Sequence, residues 1–228
     1  MTRAKGGSGR SGSGHVRVRT ARGRSASSTR WLERQLNDPY VKRAQAEGYR
    51  ARAAYKLIEL DERFNLLSGA RRVVDLGAAP GSWSQVVLKR QPRAQIVGID
   101  LLPVDPLPGL TFLQADFLDD AAQDQVAEAL GGKADLVLSD MAANTVGHHG
   151  TDHIRTMALV EAAAWFATEH LDAGGAFVAK VLAGGAESAL VADLKRRFTS
   201  VRHAKPPASR KESSETYVVA TGFRIEPA

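Results

Sequence analysis

Val73-Val74-Asp75-Leu76-Gly77-Ala78-Ala79-Pro80-Gly81-Ser82-Trp83 runs β-branched apolar residues into a turn of small ones, and a helical pattern (Gln85, Val86, Val87, Leu88, Lys89) follows. This reads as a buried parallel strand that delivers a ligand loop at its carboxyl end, where open α/β sheets bind cofactors. A dinucleotide loop reads G-x-G-x-x-G and holds a pyrophosphate on backbone N–H groups. Here the glycines are spaced differently, and Pro80 removes a donor from the middle of the turn. Such a loop suits a cofactor without phosphates. The next apolar run, Gln95-Ile96-Val97-Gly98-Ile99-Asp100, ends on an acid, as expected where a ribose hydroxyl pair is gripped. S-adenosylmethionine has a ribose and an adenine but no phosphate, so it meets both conditions. On this stretch alone, a nucleotide site and a purely structural turn stay open as alternatives.

A chain of 228 residues with 43% hydrophobic residues has the size and composition of one α/β domain with an appendage. No run reads as a membrane helix, and no signal-peptide pattern opens the chain. With no cysteine, disulfides and thiolate metal sites are excluded, which favours a reducing, cytoplasmic setting. The net charge of +6 is unevenly placed. Residues 1 to 30 hold Arg3, Lys5, Arg10, Arg17, Arg19, Arg22, Arg24 and Arg30 and no acid, so the rest of the chain is slightly acidic. Residues 1–29, rich in Gly, Ser and Arg, are expected to be a disordered basic tail suited to a phosphate backbone, the bland reading being a solubilising tail. Residues 30–228 are expected to form one domain, with N-terminal helices in 30–70 and an α/β core in 71–224.

Order is expected from Trp31. Asp38-Pro39 opens a helix as N-cap and first position, and Gly48 closes it. A second helix is expected over Arg52 to Phe64, burying Ala54, Leu57, Ile58 and Leu60. Lys42, Arg43, Arg50, Arg52 and Lys56 crowd these two helices, as a solvated basic face or a phosphate-facing one. A Pro-rich bend (Pro103, Pro106, Pro108) precedes a third strand over 110–114. Asp116 and Phe117 after it suit adenine, the carboxylate accepting from the amino group and the ring packing on its face. A helix over 120–130 and a strand over 134–138 lead to Ser139-Asp140. A long helix from Asp152 to Leu171, with Trp165 and Phe166 in the core, is closed by Gly174-Gly175. A strand over 176–182, a helix over 187–198, a strand near Val201 and a last strand over 216–221 follow. The alternation predicts a doubly wound sheet, its last two strands antiparallel because no helix joins them. His148, His149, Asp152 and His153 are the one other group of ligand types, and a polar loop before a helix favours surface residues over a metal site.

Lys180 sits inside an otherwise apolar strand, where an unpaired ammonium is costly. Asp140 leaves the neighbouring strand, Glu215 opens the last strand on the same rim, and Lys56 comes from the second helix. Two lysines and two carboxylates thus converge from four distant places.

With these residues in view, the chain resembles the FtsJ/RrmJ family of S-adenosylmethionine-dependent ribose 2′-O-methyltransferases from about Trp31 to Gly222. The resemblance rests on Arg50-Ala51-Arg52-Ala53-Ala54-Tyr55-Lys56-Leu57, the 75–83 loop, Asp100-Leu101-Leu102-Pro103, Ser139-Asp140-Met141-Ala142, Phe177-Val178-Ala179-Lys180-Val181 and the 215–222 strand. It implies a Rossmann-like class I methyltransferase fold with a mostly parallel seven-stranded sheet and an antiparallel last strand. It implies a catalytic tetrad of Lys56, Asp140, Lys180 and Glu215, with Lys180 as proton acceptor. It implies a cofactor site at Gly77, Pro80, Gly81, Trp83, Asp100, Asp116, Phe117 and Asp140, S-adenosylmethionine as donor and no metal. The match is closest to bacterial members that methylate a uridine ribose in large-subunit ribosomal RNA, so the implied partner is the large subunit, approached by a monomer. A tRNA anticodon-loop methyltransferase and a non-catalytic, RNA-binding assembly factor are the rivals, and a nicotinamide dehydrogenase is disfavoured by the loop. Two departures stand out: Ala143 replaces a usual proline, and the basic tail is one that bacterial relatives are expected mostly to lack. The physical account stands beside this. A ribose 2′-hydroxyl is a poor nucleophile that must be aligned and relieved of its proton. Lys56 and a sulfonium favour a neutral Lys180, while Asp140 and Glu215 favour a charged one. A charged Lys180 would instead orient the hydroxyl.

Overall fold

The computed structural model describes residues 25–143, 149–182 and 187–225. Helix α1 (Ala26–Asn37) begins ahead of Trp31, capped by Ser25, whose Oγ accepts from the Ser28 N–H. The absence of large apolar residues hid this start from sequence reading. Helix α2 (Pro39–Glu47) has the expected ends: Asp38 accepts from the Tyr40 N–H at 3.0 Å, and Gly48 closes it at φ 74°. Helix α3 (Ala54–Phe64) starts two residues later than expected, after a turn over 51–53, and buries Ala54, Leu57 and Leu60 together with Tyr55 and Asp61; Ile58 is only half-buried.

The core then alternates: β1 (Arg72–Leu76), α4 (Ser82–Arg90), β2 (Gln95–Asp100), β3 (Leu110–Gln114), α5 (Asp120–Leu130), β4 (Ala134–Ser139), α6 (His149–His170), β5 (Leu171–Leu182), α7 (Glu187–Arg197), β6 (Phe198–Ala204) and β7 (Glu215–Phe223). One seven-stranded sheet results, in the order β3-β2-β1-β4-β5-β7-β6. The first five of these strands run parallel, and β7 lies antiparallel between β5 and β6. β7 arrives from β6 without a crossover helix, and only an antiparallel strand can make that return.

Both faces of the sheet are buried, which is why the strands read as continuous apolar runs. Val74, Val97, Val137 and Phe177 face α5, α6 and α7, in one cluster with Val126, Phe166 and Leu194. Val73, Ile96, Leu136 and Val178 face α3 and α4, with Leu57, Leu60, Trp83 and Val86.

The structure moves three other boundaries. Helix α6 starts at His149, so Asp152 lies within it and not at its N-cap. Gly174-Gly175 does not close the helix but lies inside β5, beside a register irregularity with β4. A Cβ on Gly175 would meet the Asp172 carbonyl at 2.9 Å and the Asp135 carbonyl at 3.2 Å, so the glycine permits a close backbone approach. Phe198 opens β6 instead of ending α7. Trp165 is 62% exposed, whereas Phe166 is buried. Phe166 falls with Ala163 and Ala167 on the buried side of α6, and the step of about 100° back to Trp165 leaves the indole at its edge.

Candidate active site

Strand order reverses between β1 and β4, since β2 and β3 lie on one side and β5 on the other. The crevice at the carboxyl ends of these two strands is where open α/β sheets bind ligands. The backbone knits it shut: the Asp140 N–H donates to the Leu76 carbonyl at 3.1 Å.

Asp140, one residue beyond β4, is the hub. Lys180, buried in β5, donates to its carbonyl oxygen at 2.5 Å and lies 3.2 Å from its Oδ1. Tyr217, in β7 and paired with Lys180 across the sheet, donates its hydroxyl to the same Oδ1 at 2.6 Å. Lys56 from α3 is 3.7 Å from Asp140 Oδ2 and 2.9 Å from Glu215 at the start of β7. Two lysines and two carboxylates thus form one chain in which each buried polar group has a partner. Burial pushes the Asp140 carboxyl up, but Lys180, Lys56 and the Tyr217 hydroxyl outweigh it and hold the group below its ordinary range. Burial and the two neighbouring carboxylates push Tyr217 well above the usual phenol range, so it stays a donor.

The loop after β1 is tight. The N–H groups of Gly77 and Ala78 both donate to the Ile99 carbonyl, at 2.9 and 3.1 Å. Gly77 has φ 77°, and a Cβ there would stand 2.8 Å from the Met141 side chain and 2.9 Å from its N–H nitrogen. Only glycine lets this loop and the 139–141 loop pass so closely. Asp100 at the end of β2 accepts from Ala79 N–H at 2.9 Å and from Leu102 N–H at 2.9 Å, one on each oxygen. A carboxylate has about four lone-pair sites, so capacity for a hydroxyl pair is left.

A family model for FtsJ-like methyltransferases matches residues 49–223, most of the chain. The chain belongs to this family. It is 69% identical over 214 residues to ribosomal RNA large subunit methyltransferase E of Rhizorhabdus wittichii, covering 94% of this chain and 93% of that protein. The protein of the same name from Zymomonas mobilis is 70% identical over 213 residues, covering 93% and 96%. Among solved structures, a Plasmodium falciparum protein described as a ribosomal RNA methyltransferase superposes with a TM-score of 0.68 at 33% identity, covering 77% of this chain and 98% of that one. An alignment spanning 94% of this chain leaves fewer residues uncovered than the 29 of the basic tail. At least part of residues 1–29 therefore has a counterpart in this relative.

Within this FtsJ-like methyltransferase the tetrad residues Lys56, Asp140, Lys180 and Glu215 meet as anticipated, and Gly77, Pro80, Gly81 and Asp100 line one loop pair. The Phe117 ring is buried against Phe166, centroids 5.6 Å apart. Both residues lie beyond the end of β3, and Asp116 stays exposed, its Oδ1 accepting from Leu118 N–H at 3.0 Å. The Trp83 side chain is buried under α3, donating to the Ala53 carbonyl at 2.8 Å and lying 5.8 Å from the Tyr217 ring. Its backbone lies in the first turn of α4, directly after the 77–81 loop. The basic cluster is also largely engaged internally. Arg52 pairs with Asp38 at 3.1 Å and donates to the Ala208 carbonyl at 2.6 Å, Arg43 pairs with Glu47 at 2.7 Å, and Arg50 binds three carbonyls.

Sequence reading missed four participants. Tyr217 had a signal, since it stands two residues after Glu215 in one strand and so on the same side of the sheet. Asp75 had one too, as an acid in an apolar strand. It is buried, accepts from Ser84 Oγ at 2.7 Å on one oxygen and has no partner on the other, and burial pushes its carboxyl up to about 7. Ser209 and Glu59 had none. Ser209 donates to Glu215 at 2.9 Å, and Glu59 accepts from the Ala208 N–H at 2.7 Å, so Arg52 and Glu59 grip the peptide flanking Ser209. Beside this grip, α1, α2 and the 207–212 loop enclose a cleft of about 630 Å³ bordered by Arg34, Arg52, Ser209 and Arg210. No group of three metal-ligating side chains occurs among the described residues, and the side chains of the His148–His153 cluster lie outside them.

Proposed function

We propose that this FtsJ-like methyltransferase moves a methyl group from S-adenosylmethionine to the 2′-hydroxyl of a uridine ribose in large-subunit (23S) ribosomal RNA, on the assembled 50S subunit in the cytoplasm. The observation that carries it is Lys180, buried and bound to both the carbonyl and the carboxylate of Asp140, with Lys56–Glu215 alongside. The relatives' names supply the ribosomal RNA.

The residues fit the donor. Pro80 offers no amide to a phosphate, Gly77 lets the 139–141 loop pack against its own, and Asp100 keeps acceptor capacity for ribose hydroxyls. Bound, S-adenosylmethionine supplies an electrophilic methyl on a sulfonium. Lys180 accepts the 2′ proton at Nζ as the hydroxyl oxygen attacks, which requires it to enter the step as the neutral amine. Asp140 orients that amine, and Tyr217 and Lys56 hold Asp140. Lys56, fixed by Glu215, is placed to donate to the ribose and keep its 2′-oxygen in line. Contacts of this kind act only when already in place before the reaction.

The deciding experiment is transfer of labelled methyl groups to 50S subunits, free 23S RNA and tRNA, each with a Lys180→Ala control. Label on the subunit, found at a uridine 2′-position and reduced by roughly 10²–10⁴ in the control, supports the proposal. Label on tRNA alone moves the substrate to an anticodon loop. Cofactor binding without transfer to any RNA leaves an assembly factor.

A further inference from the structure

Arg50 stands in the basic cluster, but its guanidinium faces protein. Nη1 donates to the Pro80 carbonyl at 3.0 Å and the Asp105 carbonyl at 2.8 Å, and Nη2 donates to the Pro106 carbonyl at 2.9 Å. Pro80 belongs to the loop after β1. Asp105 and Pro106 belong to the bend between β2 and β3. The Arg50 N–H donates to Gln85 Oε1 at 2.8 Å, and Gln85 Nε2 donates to the Gly48 carbonyl at 3.2 Å, so the residue's own backbone is fixed to α4. Gly81, at φ 95°, completes the arrangement: a Cβ there would lie 2.7 Å from Nη1 and 3.2 Å from Val104. The missing side chain is what lets the guanidinium reach Pro80.

We propose that Arg50 is a positioning residue for the methyl-donor site, clasping the 77–81 loop to the 101–108 bend and so fixing the β1 side of the crevice. The proposal rests on reading that crevice as the donor site. Asp100 ties the same two segments through their amides, at Ala79 and Leu102, and Arg50 ties them through their carbonyls. A guanidinium carries five donors in a fixed fork and can serve three acceptors in two segments at once. An ammonium is a point charge without that geometry. The sequence places Arg50 among phosphate contacts because charge is legible there and direction is not.

The test is calorimetric affinity for S-adenosylmethionine, with KM for cofactor and for RNA, in the wild type, Arg50→Ala and Arg50→Lys. Arg50→Ala is expected to weaken cofactor binding by about tenfold or more while KM for RNA and kcat at saturating cofactor stay within roughly threefold. Arg50→Lys keeps the charge but not the fork, and is expected to remain at least about fivefold weak for cofactor. The reverse pattern overturns the proposal: unchanged cofactor affinity with a raised KM for RNA in Arg50→Ala, restored by lysine, marks a phosphate contact. Should Arg50→Ala fail to fold, Arg50→Lys decides alone by the same split. A wild type that does not bind the cofactor removes the reading of the crevice, whereas a wild type and variants that bind equally remove only the clasp.

Discussion

Lys180, Asp75 and Tyr217 are polar groups set in apolar strands, and each is tolerated for a different reason. Lys180 has Asp140. Tyr217 buries a ring among Trp83 and Lys56 while its hydroxyl finds Asp140. Tyr217→Phe keeps the ring and removes one hydrogen bond to a charged acceptor, a contact worth about 1.5–3 kcal/mol, so kcat is expected to fall by roughly ten- to a hundredfold with cofactor affinity unchanged. Steady-state rates at saturating cofactor check this. Asp75 has a hydrogen bond on one oxygen only, and burial holds its carboxyl at about 7. Between the ordinary carboxylate range and pH 7 the folded chain therefore keeps a proton that the unfolded chain has lost. The stability this group contributes is greatest at the acid side of that window and falls as pH rises through it, by at most about 1.4 kcal/mol per pH unit. Asp140 has the opposite sign: its lowered carboxyl contributes stability above the ordinary range that is lost as pH falls through its folded value. Urea midpoints of the cofactor-free protein from pH 5 to 8 should decline with pH, and Asp75→Asn should flatten that slope. An equal slope in both proteins would show that Asp75 does not titrate there.

At the scale of elements, the site is made by ends and not by lengths. The loops after β1 and β4 touch where Gly77 meets Met141, so the two sides of the crevice share one contact. Gly77→Ala adds a methyl against backbone at φ 77°, where an L residue is already strained, and is expected to cost about 1–3 kcal/mol of stability. Cofactor affinity should fall with it. Thermal unfolding and cofactor titration measure the two effects separately, and loss of neither would show that the loops can part freely. These two loops were placed correctly from sequence because a β-branched run, small residues and a helical pattern each constrain their own segment. Helix α1 and the start of β5 were not, since neither has an apolar period that announces it and both are settled by what they pack on.

For the whole molecule, charge is divided between tail and body. Residues 1–24 hold seven of the 31 basic side chains and no acid, whereas Arg43 of α2, Arg50 and Arg52 of the following turn and Lys56 of α3 are paired within the fold. Deleting residues 1–24 is therefore expected to raise KM for RNA and flatten its salt dependence while leaving cofactor affinity within about twofold. Filter binding across a salt series reads this directly. An unchanged salt slope would place the phosphate contacts on the body instead.

The sequence by itself determined the alternating fold, the small-residue loop after β1 and that Lys56, Asp140, Lys180 and Glu215 would meet. Buried strands must be apolar, so each polar residue in them is conspicuous. It could not determine direction. Whether Arg50 faces solvent or three carbonyls, whether Phe117 turns to a ligand or to Phe166, and whether Tyr217 reaches Asp140 depend on contacts made tens of residues away. Those contacts exist only in the assembled sheet with its helices packed on both faces, because they join segments that share no local pattern.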